Sequence, residues 1–429
     1  MSEAEPPLDT APDVQPEDAN PAKTDLPPDQ VLTLLREGKP VQNARIKGLK
    51  FCGVFDKPVL FRNCTLVRTS FDGVEFADAV SFVGCTLDRP SFNRATVFQG
   101  TLDIGNSVLN KANFTRLTIR GELNATNAEF RGKLGFTNCT FEKKVSFWEA
   151  KFHCWSDFKN CTFRGEADFR SLHAGEGFVL TKSTFHENFL FRGSNVAKKF
   201  QADGCTFEKL LDLSKAKLHD FCYLEGIVQG AGQRFAFLNA IAKLILVKPE
   251  QIESRLASEE SGDFATAMQE YGLLKKCFQE QHRFDQEDWA FYRFKVNQRK
   301  SKSWSWKKPW TQWRHLGDWL FLDIGCGYGT NPLRAVRMAL VIIASFAALY
   351  ALNVEAFYTE KMPFPGDKTD PENRLMIGLI TSVSVFTSGM GGIRELAQGW
   401  MNVPVMVESI MGTLLFGLFI VAFSRKVIR

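Results

Sequence analysis

The stretch FTNCTFEKKVSFWEAKFHCWSDFKNCTFRGEADF, residues Phe136–Phe169, decides the fold of the N-terminal half of this chain. Phenylalanine recurs in it at steps that alternate between five and six residues. The same register begins at Phe130 and resumes at Phe185, Phe191 and Phe207. An 11-residue unit fits neither the 3.6-residue period of a helix nor the two-residue period of a strand. It predicts a solenoid in which each short side of a coil places one apolar side chain inward.

A small residue two positions before the aromatic follows the same rhythm. Cys139, Cys161, Ser183 and Cys205 lie 22 residues apart in NCTF, NCTF, KSTF and GCTF. This spacing predicts a coil of about 22 residues in which the small side chains stack. Metal binding and redox sensing are alternatives for the cysteines, but serine at the equivalent place favours a small buried residue.

Units such as FKNCTFRGEADF and FTNCTFEKKVSF resemble the pentapeptide-repeat proteins. The resemblance implies a right-handed, four-sided β-helix over residues 43–226, with the coil boundaries near 92–120 left open. Some members of that family mimic DNA with an acidic surface. Residues 44–226 instead hold 26 Lys and Arg against 20 Asp and Glu, which argues against mimicry. We expect no nucleic-acid partner, and a cytoplasmic ligand or protein on the solenoid is left open.

The flanking segments differ in composition from the repeat. Residues 1–27 are acidic and proline-rich and are predicted to be a disordered tail, and residues 28–42 are predicted to form a helix that caps the first coil. Residues 227–300 are predicted to be a helical linker, because FAFLNAIAKLILV, FATAMQEYGLLKKCFQEQ and DQEDWAFYRFKVNQRK repeat apolar residues at helical spacing. The ten cysteines without a CxxC pair indicate a reducing compartment for these parts.

Residues 301–333 combine basic residues with tryptophan. Such a segment could stack on nucleic acid, but its position just before an apolar stretch favours the surface of a lipid bilayer. Within it, FLDIGCGYGT predicts a tight turn. The five tryptophans are Trp304, Trp306, Trp310, Trp313 and Trp319.

Residues 334–429 are predicted to form a membrane domain. Apolar stretches at 335–354 and 403–424 each have the ~20 residues that a helix needs to cross a bilayer. Arginine and lysine flank the start of the first stretch and the end of the second, whereas the connecting loop is acidic. The positive-inside rule then predicts an inner-membrane protein with two spans and both termini in the cytoplasm.

The segment LMIGLITSVSVFTSGMGGI, Leu375–Ile393, lies between the two stretches. It resembles the pore helix and TxGYG filter of the potassium-channel family, with pore helix and filter together at 374–393. Serine replaces the usual valine and methionine the usual tyrosine, and Gly392 replaces the aspartate that usually follows. The resemblance implies a homotetramer whose backbone carbonyls replace the water around a monovalent cation. Potassium is favoured as that cation and sodium is left open. The implied filter residues are Thr387, Ser388, Gly389, Met390 and Gly391.

Three residues of the second stretch are candidates for supporting or gating a pore. Glu408 is either a packing partner behind the filter or a charge that reaches toward the headgroups, and the first is favoured. Gly412 and Gly417 either hinge the helix or allow close packing, with equal weight.

Taken together, these patterns predict a multidomain protein: a β-solenoid, an α-helical linker and a pore-loop channel module with two transmembrane helices. We expect a cation channel with a cytoplasmic sensing or regulatory solenoid. The alternative is a membrane-anchored scaffold whose pore does not conduct. The six histidines are scattered and no nucleophile–base set is visible, so we expect neither an enzyme nor a cofactor, and no metal beyond the permeating cation.

Overall fold

The computed structural model describes residues 23–92, 94–302, 316–357, 370–388, 397 and 399–427. The chain divides into two units, residues 1–233 and 234–429. The first unit is a four-sided parallel β-solenoid of about ten turns, which confirms the solenoid predicted from the phenylalanine register. Each side is a ladder of very short strands, because the chain turns a corner after two to four residues.

Four ladders run along the solenoid, one on each side of the coil. The first ladder contains Thr24–Asp25, Ala44–Lys47, Thr65–Val67, Thr86–Asp88, Val108–Asn110, Glu129–Arg131, Lys151–Phe152, His173–Ala174, Asn195–Val196 and Lys217–Tyr223. The second contains Ser91–Phe92, Asn113–Thr115, Leu134–Thr137, Ser156–Lys159, Phe178–Thr181 and Phe200–Asp203 and ends on Lys217–Tyr223.

The third ladder contains Val54–Phe55, Glu75–Phe76, Thr96–Phe98, Leu117–Ile119, Thr140–Phe141, Thr162–Phe163, Thr184–Phe185, Thr206–Phe207 and Val228–Gln229. The fourth contains Val41–Gln42, Val59–Arg62, Val80–Ser81, Leu102–Asp103, Leu123–Asn124, Val145–Ser146, Ala167–Asp168, Phe189–Leu190 and Leu210–Asp212.

The length of the coil explains where the sequence register is clear and where it is not. Along the first ladder, Glu129 pairs with Lys151 and Lys151 with His173, both at a spacing of 22 residues. The earlier coils are shorter, since Arg45 pairs with Thr65 and Thr65 with Thr86. The strands between 92 and 120 continue all four ladders, so the ladders are unbroken although the sequence register is weak there.

The stacked small residues Cys139, Cys161 and Ser183 each hydrogen-bond to a carbonyl oxygen of the preceding coil. The Cys161 thiol lies 3.4 Å from the carbonyl oxygen of Phe136, and the Ser183 hydroxyl donates to the equivalent carbonyl of Phe158 at 3.0 Å. Burial raises the pKa of the Cys205 thiol to about 12, so it stays protonated. Cysteine and serine are interchangeable here because both are small donors that fit the same corner.

The residue just before each small donor has a left-handed backbone. Asn138 and Asn160 have φ of 54° and 52°, and Gly204 has φ of 63°. Asparagine tolerates this region better than most residues and glycine adopts it freely. The Asn160 side chain also donates to that of Asn138 at 3.2 Å, which links neighbouring corners.

The first rung of the solenoid corrects part of the predicted tail. Thr24–Asp25 pairs in parallel with Ala44–Lys47, and the amide of Leu26 donates to the carbonyl of Arg45 at 3.1 Å. The open edge of the first coil offers unpaired backbone groups, and this segment satisfies them. Helix α1, Pro28–Arg36, follows within the stretch predicted to be a cap.

The second unit begins with two strands where the sequence pattern predicted a helix. Arg234–Ala236 overlaps the start of FAFLNAIAKLILV and Ile241–Leu246 lies within it, so residues 227–247 are not helical as predicted for 227–300. Phe235 and Phe237 are both fully buried, which is the two-residue period of a strand. An almost uniformly apolar segment satisfies either period, and here strand geometry applies.

The rest of the second unit is helical. Its short helices are α2, Pro249–Ile252, and α3, Ala257–Glu260; a hairpin of two long helices follows, α4, Phe264–Glu280, and α5, Phe284–Lys300. A π-helical segment, Asp318–Gly325, and a 3-10 turn, Gly327–Gly329, precede α6, Pro332–Leu352, and a further 3-10 turn, Val354–Phe357. Then come α7, Pro371–Ser388, the 3-10 turn Gly399–Met401 and α8, Asn402–Val427.

Candidate functional site

Two helices of the second unit are long and apolar enough to cross a membrane. They are α6 and the continuous helical stretch Gly399–Val427, which contains α8, and these helices coincide with the two predicted spans. Many of their large apolar side chains are exposed, among them Leu340 and Val341 on α6 and Phe416 and Val421 on α8. We call the end at Pro332 and Val427 the near end of this module, and the end at Leu352 and Asn402 the far end.

Helix α7 packs between these two helices through glycine. A Cβ atom on Gly378 would lie 2.4 Å from the carbonyl oxygen of Ala347, and one on Gly412 would lie 2.5 Å from that of Phe386. Such contacts leave no room for a methyl group. The helices therefore approach each other as closely as their backbones allow.

The contacts of α7 show how deep it reaches. Gly378 lies against Ala347 and Ala351 near the far end of α6, and the Ser382 hydroxyl oxygen lies 3.0 Å from the carbonyl oxygen of Ile343, at the middle of α6. Phe386, a turn later, lies against Gly412, near the middle of α8. Helix α7 thus enters at the far end and stops about halfway along the module.

The next helical stretch along the chain, Gly399–Val427, begins at the far end of the module. Met401 and Ala397 are buried in a cluster with Tyr350 and Phe357, which mark the far end of α6. Ser388 is therefore about halfway along the module, whereas Gly399 is at its far end. The residues that connect them, including Gly389, Met390 and Gly391 of the predicted filter, lie outside the described residues.

The first two predicted filter residues are helical in the structure. Thr387 and Ser388 form the last turn of α7, and the Thr387 hydroxyl donates to the carbonyl of Val383 at 2.7 Å. In the resemblance to the potassium-channel family, Thr387 is the first residue of the filter and follows the pore helix. Threonine can remain in a helix by bonding to the carbonyl four residues earlier. Helix α7 has 18 residues.

Glu408 joins all three helices of the module. Its side chain is fully buried and accepts hydrogen bonds from the Tyr350 hydroxyl of α6 at 2.6 Å and from the Ser382 hydroxyl of α7 at 2.5 Å. A buried carboxyl needs such partners. The sequence favoured a packing role behind the filter for Glu408, and that role stays a prediction. Tyr350 and Ser382 carry no local signal that predicts them as partners of Glu408.

The two candidate glycines of α8 have different surroundings. Gly412 is at the close approach to Phe386, whereas a Cβ atom on Gly417 would meet no atom within 4 Å. Both lie inside one continuous helix. Close packing therefore accounts for Gly412 and does not account for Gly417.

A charged junction connects the near end of α8 to the start of α5. The Arg425 guanidinium lies 2.9 Å from the carboxylate of Asp288 and 3.7 Å from that of Glu287, and its carbon is 4.4 Å from the ring centre of Phe291. Lys426 lies 3.7 Å from Asp285. Acidic residues in the first turn of a helix also interact favourably with its dipole.

A second ion pair connects the other end of α5 to the turn before α6. The Asp323 carboxylate lies 2.6 Å from Arg299 and accepts a hydrogen bond from the Tyr292 hydroxyl at 2.8 Å. Beside it, burial raises the pKa of Tyr328 to about 12, so that phenol stays neutral. Helix α5 is thus held by charge at both ends. The acidic partners of Arg425 lie far from it in the sequence, so no local motif predicts the charged junction between α8 and α5.

The predicted tryptophan-rich segment is described only in part. Trp304, Trp306, Trp310 and Trp313 lie outside the described residues, and Trp319 is exposed on the π-helical segment. The predicted tight turn in FLDIGCGYGT is observed, with positive φ at Gly327, Tyr328 and Gly329.

Replacing Arg425 by glutamine is expected to destabilise the second unit by about 1.5–3 kcal/mol, because the carboxylates of Asp288 and Glu287 are buried and lose a charged donor. The thermal unfolding midpoint of the full chain in detergent measures this. The neighbouring Lys426→Gln is the matched control. Its partner Asp285 is almost fully exposed, so a cost below about 1 kcal/mol is expected. Equal losses of stability from the two substitutions would contradict the buried ion pairs of Arg425.

Comparison with known proteins supports the repeat. The family model described as pentapeptide repeats matches residues 114–162 in nine copies. With the four ladders, this match defines the first unit as a pentapeptide-repeat β-solenoid, followed in the chain by two candidate membrane-spanning helices. No curated protein and no solved structure matches the chain.

Proposed function

We propose that residues 332–427 form one quarter of a tetrameric cation pore in the cell membrane and that the solenoid regulates it from the cytoplasm. The observation that carries this proposal is the depth of α7, which enters at the far end and ends midway between two candidate spans. A backbone that turns back at membrane depth is tolerated where it lines a water-filled cavity.

The direction of α7 suits a cation. The C-terminal end of a helix carries a partial negative charge, and the C-terminus of α7 is at mid-depth. Four such ends around an axis would stabilise a cation where the bilayer disfavours it most. The carbonyls of residues 387–391 would then replace its hydration shell, with potassium favoured and sodium also allowed.

The number of helices in one chain indicates that several chains assemble. Two spans and one helix that stops midway cannot enclose a channel, and rings with cyclic symmetry are the usual solution. The far end would face outward, because Arg334, Arg337, Arg425 and Lys426 are at the near end. Both termini and the solenoid would then be cytoplasmic.

The test is flux through purified protein in liposomes. A potassium gradient with a membrane-potential dye should give protein-dependent flux, and mass photometry in detergent should give four chains. A monomer would overturn the proposal. A tetramer without flux under any monovalent gradient would favour the alternative, a membrane-anchored pentapeptide-repeat scaffold.

A further inference from the structure

A cavity lies beside the near end of α6. Its volume is about 390 Å³, and it is lined by Tyr292, Asp323, Ile324, Arg334, Arg337, Met338 and Val341. All of these residues belong to the second unit.

The polar part of the cavity presents two guanidinium groups. Arg334 stacks on the Tyr292 ring, 4.6 Å from its centre, and its contact with the Asp323 carbonyl is long, at 3.4 Å. Among the described residues Arg337 makes no ion pair. The one carboxylate in the lining, that of Asp323, is already neutralised by Arg299. The polar part is therefore suited to an anion, and paired guanidinium groups suit the oxygens of a phosphate.

The apolar part of the cavity continues toward the middle of the span. Arg334, Arg337, Met338 and Val341 follow one face of α6 at spacings of three and four residues. Val341 and Ile324 are 60% and 41% exposed. A soluble phosphate would leave these side chains in water, whereas an acyl chain would cover them.

We propose that this cavity binds an anionic phospholipid, with its phosphate between Arg334 and Arg337 and an acyl chain along Ile324, Met338 and Val341. The site is at headgroup level if α6 spans the bilayer. The proposal rests on that part of the proposed function and not on conduction. Lipid bound here would contact both α6 and, through Tyr292, helix α5.

Native mass spectrometry of the full-length protein tests this directly. The protein in neutral detergent is mixed with equal amounts of phosphatidylglycerol and phosphatidylcholine, and the ratio of the two adducts is measured. Wild type should prefer phosphatidylglycerol. Arg337→Gln should reduce the preference about fivefold, since one basic residue near a membrane surface contributes roughly that factor. Adding Arg334→Gln should reduce it further.

Three controls distinguish a phospholipid from a free phosphate as the ligand and guard against misfolding of the variants. Arg192→Gln, an exposed arginine on the solenoid, makes the same change in charge and should leave the ratio unchanged. Arg337→Lys should retain most of the preference. Soluble glycerol phosphate at equal concentration should not displace the lipid; if it does, the ligand is a free phosphate and the lipid proposal is wrong. Equal adduct ratios in wild type and Arg337→Gln would also overturn it, whether or not the protein conducts.

Discussion

Replacing Gly389 or Gly391 by alanine is expected to abolish cation flux while the tetramer and its thermal unfolding midpoint stay unchanged. In the proposed pore these glycines take backbone angles that turn successive carbonyls toward the axis, and a Cβ atom disfavours such angles. Potassium flux into liposomes measures the effect. The number of chains per particle and the thermal unfolding midpoint are measured on the same preparation.

The control for both filter variants is Gly317→Ala, outside the proposed filter and spans, at a glycine with a φ of −61° where a Cβ atom meets nothing within 4 Å. It should conduct like wild type. If the filter variants conduct normally and Gly317→Ala does too, residues 387–391 do not form a filter. If wild type itself is silent, the membrane scaffold becomes the better explanation.

Replacing Gly412 by alanine is expected to damage the membrane module itself. The new Cβ atom would lie 2.5 Å from the Phe386 carbonyl oxygen, so α7 and α8 must move apart. Overpacking of this kind typically costs about 1–3 kcal/mol. We expect a lower unfolding midpoint together with loss of flux, in contrast to the filter variants, which lose flux alone.

The same helix offers the comparison. Gly417→Ala adds an identical methyl group five residues away, where there is space for it. Its free energy of unfolding should stay within about 0.5 kcal/mol of wild type, as for most surface changes. A Gly412→Ala protein that melts like Gly417→Ala would show that the close contact with α7 is absent in the membrane.

The sequence predicted the solenoid well because its core repeats in one dimension. Phe114, Phe136 and Phe158 stack with ring centres 4.4 and 4.8 Å apart at the same place in successive coils, and Leu180 occupies that place in the next coil. The corner geometry has a weaker signal in the sequence. That signal is the asparagine or glycine before most of the small donors, as at Asn138, which indicates a positive φ and not a side-chain function.

Other features depend on contacts that no period encodes. FAFLNAIAKLILV is apolar at almost every position, so helical and strand spacings fit equally and tertiary packing decided between them. Tyr350 and Ser382 bond to Glu408 across three helices that are far apart in sequence. Thr387 is the first filter residue in the sequence resemblance, and helix α7 continues through it to Ser388.

The 22-residue coils between residues 129 and 217 have a consequence for how this protein can change in evolution. Because residue 129 pairs with 151, 151 with 173, 173 with 195 and 195 with 217, duplicating or losing one whole coil in this stretch keeps the strand register. Each such event would lengthen or shorten the domain by about 4.8 Å, the distance between neighbouring strands. Gene duplication can therefore adjust the length of the solenoid in fixed increments without a new core.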